Sequence, residues 1–214
     1  MASYTLSWYS LATQRLLHDV SGNFFTPDQL TDWVNQARVQ VAQDSNCVRL
    51  LQSFTFTGGI ELYAYTSLPQ GALTLAVLGI NVTWGSLKYP LRGPVSFSFL
   101  SSRTRTLVGW VQQPALFANY GNTAFYVGPP PDSNYPAEID TSIIPNDLVA
   151  DSSIEQIPPP WSPCVPYYAA FLAKEYQQMW QEAAKFEEDY QRRLMRVQRA
   201  VYPRGIGNIY TART

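Results

Sequence analysis

Apolar or small side chains recur at Tyr168, Leu172, Tyr176, Met179, Ala183, Phe186, Tyr190, Leu194, Val197 and Val201, in steps of three and four residues. Nine such steps cover 33 residues, close to the 3.6-residue repeat of an α-helix, so the spacing predicts one long helix with a continuous apolar side. Ser162-Pro163 is a good start for it, because serine can accept the orphan N–H groups of a first turn and proline has none to satisfy. Pro166 offers a second start, and Tyr202-Pro203 ends the pattern, since the proline ring excludes the helical conformation from the residue before it. The helix reads as a packing spine against whatever the N-terminal part of the chain supplies.

That part supplies a helical hairpin. Residues 4–19 place Leu6, Tyr9, Thr13, Leu16, Leu17 and Val20 on one side of a first helix, with His18 in a cap-type or surface position at its end, and Ser21-Gly22-Asn23 breaks it. Thr26-Pro27-Asp28-Gln29 then carries a full helix-start signature: Thr26 as N-cap, Pro27 at the first position and Gln29 placed to close a capping box. Phe25 is positioned to staple onto Leu30, and Leu30, Val34, Ala37 and Val41 continue one face to about Asn46.

From Leu50 the period changes to two. Phe54 and Phe56 alternate with threonine, Gly58-Gly59 turns, and Ile60, Leu62 and Ala64 alternate again, which predicts a β-hairpin over 50–66. Residues 73–84 are β-rich, clearest at 81–84, and Gly85-Ser86 turns into 87–90. Residues 94–107 fit two patterns, since Pro94 can open a helix while Ser96-Phe97-Ser98-Phe99 alternates like a strand. Two strands around Gly121-Asn122 fill 114–127, a further strand runs from Tyr135, and residues 144–161 form a proline-studded strap back to the long helix. The expected fold class is therefore α+β: a helical bundle of residues 1–49 and 162–202, made of an N-terminal αα-hairpin plus the long C-terminal helix, with a β-rich insertion domain at 50–161 and an extended C-terminal tail at 203–214.

Only 14% of the residues are charged, about half the usual share, whereas 14% are aromatic. A surface poor in charge and rich in aromatic rings is commonly covered by partners, which leans towards obligate assembly. The formal net charge of −1 argues against a dedicated nucleic-acid-binding protein. Charge is unevenly placed: no Lys or Arg lies between Arg105 and Lys174, where Asp132, Glu138, Asp140, Asp147, Asp151 and Glu155 fall, while Arg192, Arg193, Arg196 and Arg199 crowd the last helix. Two readings fit those arginines. They form a solvated helix end with i,i+4 pairs such as Glu188 with Arg192 and Asp189 with Arg193, or they meet an acidic surface of a neighbouring subunit.

Catalytic and metal-binding patterns are missing. One histidine, His18, would have to serve any triad, and no nucleophile motif frames it. Gly58-Gly59 and Gly205-Ile206-Gly207 lack the lysine and the strand-to-helix context of nucleotide loops. Cys47 and Cys164 have no metal-ligand spacing and read as small buried hydrophobes of a reducing cytoplasm, so no metal or cofactor is expected. Glu138 and Asp140 share one face of a strand, as a carboxylate pair or as ordinary edge residues. No window of the sequence is apolar enough to span a membrane, and the N-terminus has no export signal.

The order of motifs resembles a known family. "R-L-L-H-D-x-S-G-N-F-F-T-P-D-Q-L", "W-V-N-Q-A-R", "F-Y-V-G-P-P-P-D-x-x-Y-P-A-E-I-D", "I-P-P-P-W" and "Y-Y-A-A-F-L-A-K-E-Y-Q-Q" together look like the head-tail adaptor (connector) proteins of short-tailed bacteriophages, the tail tubular protein A group, over roughly residues 4–202. The resemblance implies a non-enzymatic virion protein, assembled in the host cytoplasm, that forms a ring, usually twelvefold, below the portal protein. Such a ring extends the channel through which genomic DNA passes without sequence-specific binding, and it anchors the nozzle or other tail proteins. It also implies that residues 203–214 dock on the portal, with Arg204, Ile206, Asn208, Ile209 and Tyr210 as contacts. A channel lined with arginine would retain DNA, so Arg192, Arg193, Arg196 and Arg199 are expected to meet a neighbouring subunit instead. Simple terminal disorder is the other reading of the tail. Competing functions are a monomeric protein-binding module and a carbohydrate-binding or hydrolytic tail component using Trp84, Trp110 and carboxylates such as Asp140.

Overall fold

The computed structural model describes residues 4–19, 21–104 and 109–201. Among them the chain is mixed α+β, with five helices and two antiparallel sheets. It divides into two compact units, one drawn from both ends of the chain (through Cys47, and from Pro145 onward) and one comprising Val48–Ile144.

In the first unit, α1 (Leu6–Leu17) is capped by Thr5, whose side chain accepts the Trp8 N–H, and closed by His18 in the left-handed region at φ 58°. The loop that follows is organised by the buried Asp19, whose carboxylate accepts the N–H groups of Asn23, Phe24 and Phe25. Then α2 (Pro27–Ser45) opens with the expected reciprocal capping box between Thr26 and Gln29. Phe25 and Leu30 on either side of the cap are both buried, and the Phe25 ring meets Trp33 edge-on at 5.2 Å.

The single long helix expected from the apolar spacing is two helices, α4 (Val165–Tyr176) and α5 (Trp180–Val201), folded into an antiparallel hairpin. Lys174 pairs with Glu182, Tyr168 packs on Tyr190 and Tyr167 lies under Arg193, pairings that move outward from the turn. The turn is a Schellman motif: Gln178 is left-handed at φ 60°, its N–H reaches the Glu175 carbonyl, and the Met179 N–H reaches that of Lys174. No glycine or proline marks it, and the three-and-four spacing runs across the break without a phase change, so periodicity could not reveal it. The start also differs: Ser162 sits in a 3₁₀ turn and donates to the carbonyls of Ile157 and Pro158, while Pro166 occupies the first turn of α4. The buried residues of α4 are Val165, Pro166, Ala169, Ala170 and Ala173, mostly small side chains, and the helix packs against α1 and α2.

In the second unit, β1 (Arg49–Phe56), β3 (Thr74–Trp84), β4 (Leu87–Pro90) and β7 (Tyr135–Ile143) form one sheet in the order β1-β7-β3-β4. The other sheet has the order β2-β6-β5, from β2 (Leu62–Ala64), β5 (Leu116–Tyr120) and β6 (Ala124–Gly128). The hairpin expected over 50–66 is therefore overturned: β1 pairs with β7 and β2 with β6. Alternation identifies each strand but not its partner. The Gly58-Gly59 corner is tied instead to 131–134, by Gly59 N–H to the Pro131 carbonyl and Gly58 N–H to the Asn134 side chain. The β3–β4 and β5–β6 hairpins form as their Gly85 and Gly121 turns predict. The ambiguous 94–107 stretch contains a helix, α3 (Phe97–Thr104). One core cluster draws Phe56, Ile80 and Ile139 from the first sheet and Tyr63, Phe117 and Phe125 from the second.

Candidate functional site

The chemical candidates of the sequence are placed in structural roles. His18 is the αL C-cap of α1. Glu138 and Asp140 alternate with the core-facing residues of β7, and each is neutralised by a cation from another strand, Lys88 for Glu138 and Arg49 for Asp140. They therefore act as two cross-strand ion pairs rather than one carboxylate dyad. Cys47 and Cys164 are both buried, and burial pushes both thiols up, Cys164 to about 11. Among the described residues no group of three His, Cys, Asp or Glu side chains could hold a metal ion, and no helix is long and apolar enough to cross a membrane.

The arginines of α5 divide. Arg192, Arg196 and Arg199 fall on one exposed stripe at i, i+4 and i+7, where Arg192 takes both Glu188 (2.7 Å) and Asp189 (3.2 Å). Arg193 turns towards α4, its guanidinium 3.9 Å from the Tyr167 ring centre. The tail residues Arg204, Ile206, Asn208, Ile209 and Tyr210 lie outside the described residues.

The strap residues 145–161, which carry no helical or strand period, are bonded firmly to α2. Asn35 holds Leu148 through both of its backbone polar groups. Arg38, fully buried, donates to Glu155, Asn35 and the Asn146 carbonyl. Fixing the strap this way leaves Val149 and Ile154 held out in water, 81% and 85% exposed. Phe24, Tyr176 and Trp180 are also largely exposed on this unit. In the sequence the signs of such a surface are the low charge and the aromatic richness of the chain, neither of which locates it.

Two concave surfaces accompany these side chains. In the helical unit a cleft of about 360 Å³ runs between α1 and the start of α4, lined by Trp8, Leu11, Pro166 and Tyr167 with Arg15 and Arg193. In the β unit Trp84 and Trp110, paired in the sequence as candidate sugar platforms, do line one surface pocket of about 570 Å³ together with Tyr89, Gln112 and Gln113; Asp140 is not among its lining residues.

No curated protein matches the chain. The SU10 adaptor protein family matches it over residues 5–208, and the protein accordingly belongs to that family of phage structural adaptors.

Proposed function

We propose that the protein is a head-tail adaptor of a short-tailed phage, of the tail tubular protein A type, and that its copies form a twelvefold ring below the portal. The ring continues the DNA channel and anchors the nozzle or other tail proteins. In this reading the helices make the ring body, the β-rich segment is an insertion that faces the tail, and residues 203–214 hook onto the portal. The observation that carries it is the family match along nearly the whole chain. The large apolar side chains held in solvent on the helical unit support it, since a ring subunit covers such surfaces on both flanks.

The test is the mass of the purified protein alone and mixed with portal protein. A discrete complex containing a ring of adaptor copies supports the reading, and protein that remains a monomer beside portal overturns it. Deleting residues 203–214 tests the hook separately: rings that still attach fully to portal without it rule the hook out. A second reading, a carbohydrate-binding tail component, has the shared Trp84 and Trp110 pocket in its favour. It requires glycan binding that Trp84→Ala and Trp110→Ala abolish.

A further inference from the structure

The helical unit carries a cleft and a protruding loop of matching chemistry, and we propose that the strap of one protomer plugs into the α1–α4 cleft of the next. This rests on the ring reading and names the contact that closes the ring.

The cleft is apolar along its floor and cationic at its wall. Trp8 and Leu11 of α1 each leave more than a third of their surface in water, Tyr167 lies opposite, and Arg15 and Arg193 supply two positive charges. Among the described residues neither arginine has a carboxylate partner. Such a cleft takes an acidic segment with aliphatic anchors and disfavours a basic one. Residues 203–214 carry Arg204 and Arg213 and no acidic side chain, which sets them against this cleft.

The strap has the required chemistry in the run Asp147-Leu148-Val149-Ala150-Asp151-Ser152-Ser153-Ile154. Val149 and Ile154 are more exposed than any other large hydrophobic side chain described. The loop presenting them is already ordered. Ser153 Oγ accepts the N–H groups of Val149 and Ala150, Leu148 is pinned by Asn35, and the Asp151 carboxylate accepts the Ser7 N–H at 2.7 Å. A pre-ordered loop loses little conformational entropy on docking. Asp147 and Asp151 carry the charge that opposes Arg15 and Arg193, which fixes the register of the contact.

One protomer is not arranged to fill its own cleft. Asp151 lies with Ser7, Ser10 and Gln14 along one side of α1, whereas Trp8, Leu11 and Arg15 line the cleft. At 3.6 residues per turn these two sets, each one residue apart, point roughly 100° apart around the helix. The contact is then heterologous, plug to one neighbour and cleft to the other, the geometry that yields a closed ring when the rotation allows.

The test uses full-length protein assembled with portal, comparing wild type, Leu11→Cys, Val149→Cys and the double cysteine variant after mild oxidation on a non-reducing gel. The expected result is a ladder of covalent oligomers from the double variant alone, the native Cys47 and Cys164 being buried. Val149→Glu with Ile154→Glu, both on exposed positions, should also lose the ring while keeping the monomer's helical spectrum. If wild type itself does not form rings with portal, the ring reading fails. If wild type forms rings but the double variant gives no intermolecular ladder and the glutamate variant assembles normally, the plug contact is overturned.

Discussion

Removing the Glu155 carboxylate tests how the strap is held. The Arg38 guanidinium has five polar contacts of 2.7 to 3.3 Å, three of them to Glu155 and the others to Asn35 and the Asn146 carbonyl. Glu155 also accepts the Ile157 N–H at 2.7 Å. Glu155→Ala leaves a cation that cannot reach water, since the Arg38 side chain is only 1% exposed. Breaking a buried pair in this way costs about 3–5 kcal/mol. For a chain of this length that corresponds to a fall in Tm of about 6–20 °C, read by helical circular dichroism. Arg38→Met should cost less, because Glu155, at 10% exposure, can be hydrated. Arg38→Met with Glu155→Leu removes both charges and should recover most of the loss, giving a coupling of about 2 kcal/mol or more in the double-mutant cycle. A fall below ~2 °C for Glu155→Ala, or strictly additive single variants, would refute the claim that this pair anchors the strap.

Two buried tyrosines should respond oppositely to loss of the hydroxyl in urea unfolding. Among the described residues the buried Tyr9 hydroxyl has no hydrogen-bond partner, so Tyr9→Phe is expected to be neutral or stabilising by up to about 1 kcal/mol, while Tyr190→Phe loses a 2.6 Å bond to Asp44 and should cost about 1–3 kcal/mol. A Cβ on Gly71 would stand 1.8 Å from the Tyr65 carbonyl oxygen, so Gly71→Ala should cost about 3 kcal/mol or more; Gly85→Ala meets only the φ penalty, about 1–2 kcal/mol. Thermal melts of the two alanine variants in parallel check that order. With Cys164 raised to about 11, roughly a thousandth of its thiol is ionised at pH 8, so native protein should resist a thiol reagent that labels the unfolded chain at both cysteines. The folded state favours the neutral thiol, so the stability Cys164 contributes is complete below pH 9 and falls away as pH rises towards 11.

Local rules were legible where one residue type has one physical use. Thr26-Pro27-Asp28-Gln29 fixed a helix start because every orphan donor it addresses lies within one turn. Gly85 and Gly121 fixed hairpins because their positive φ matches a tight turn between strands. The losses came from longer-range competition. The Gln178 turn uses a residue with no special preference for φ > 0, held by the packing of Tyr168 on Tyr190 and of α4 on α5. The β1 and β2 strands carry correct alternation but choose β7 and β6, because pairing is decided by which faces can be buried together. For the candidate surfaces, the sequence showed the acidic run and the arginine-rich helix. It could not show that Asn35 and Arg38 pin the strap so as to leave Val149 and Ile154 outside, since those bonds span more than a hundred residues.

In the proposed function, copies of this chain assemble around the channel below a portal. Imaging the protein in its complex with portal, at a resolution sufficient only to count subunits, tests it directly. A closed ring of twelve copies coaxial with the portal is expected. Isolated copies bound at the periphery, or no density beneath the portal, would contradict it.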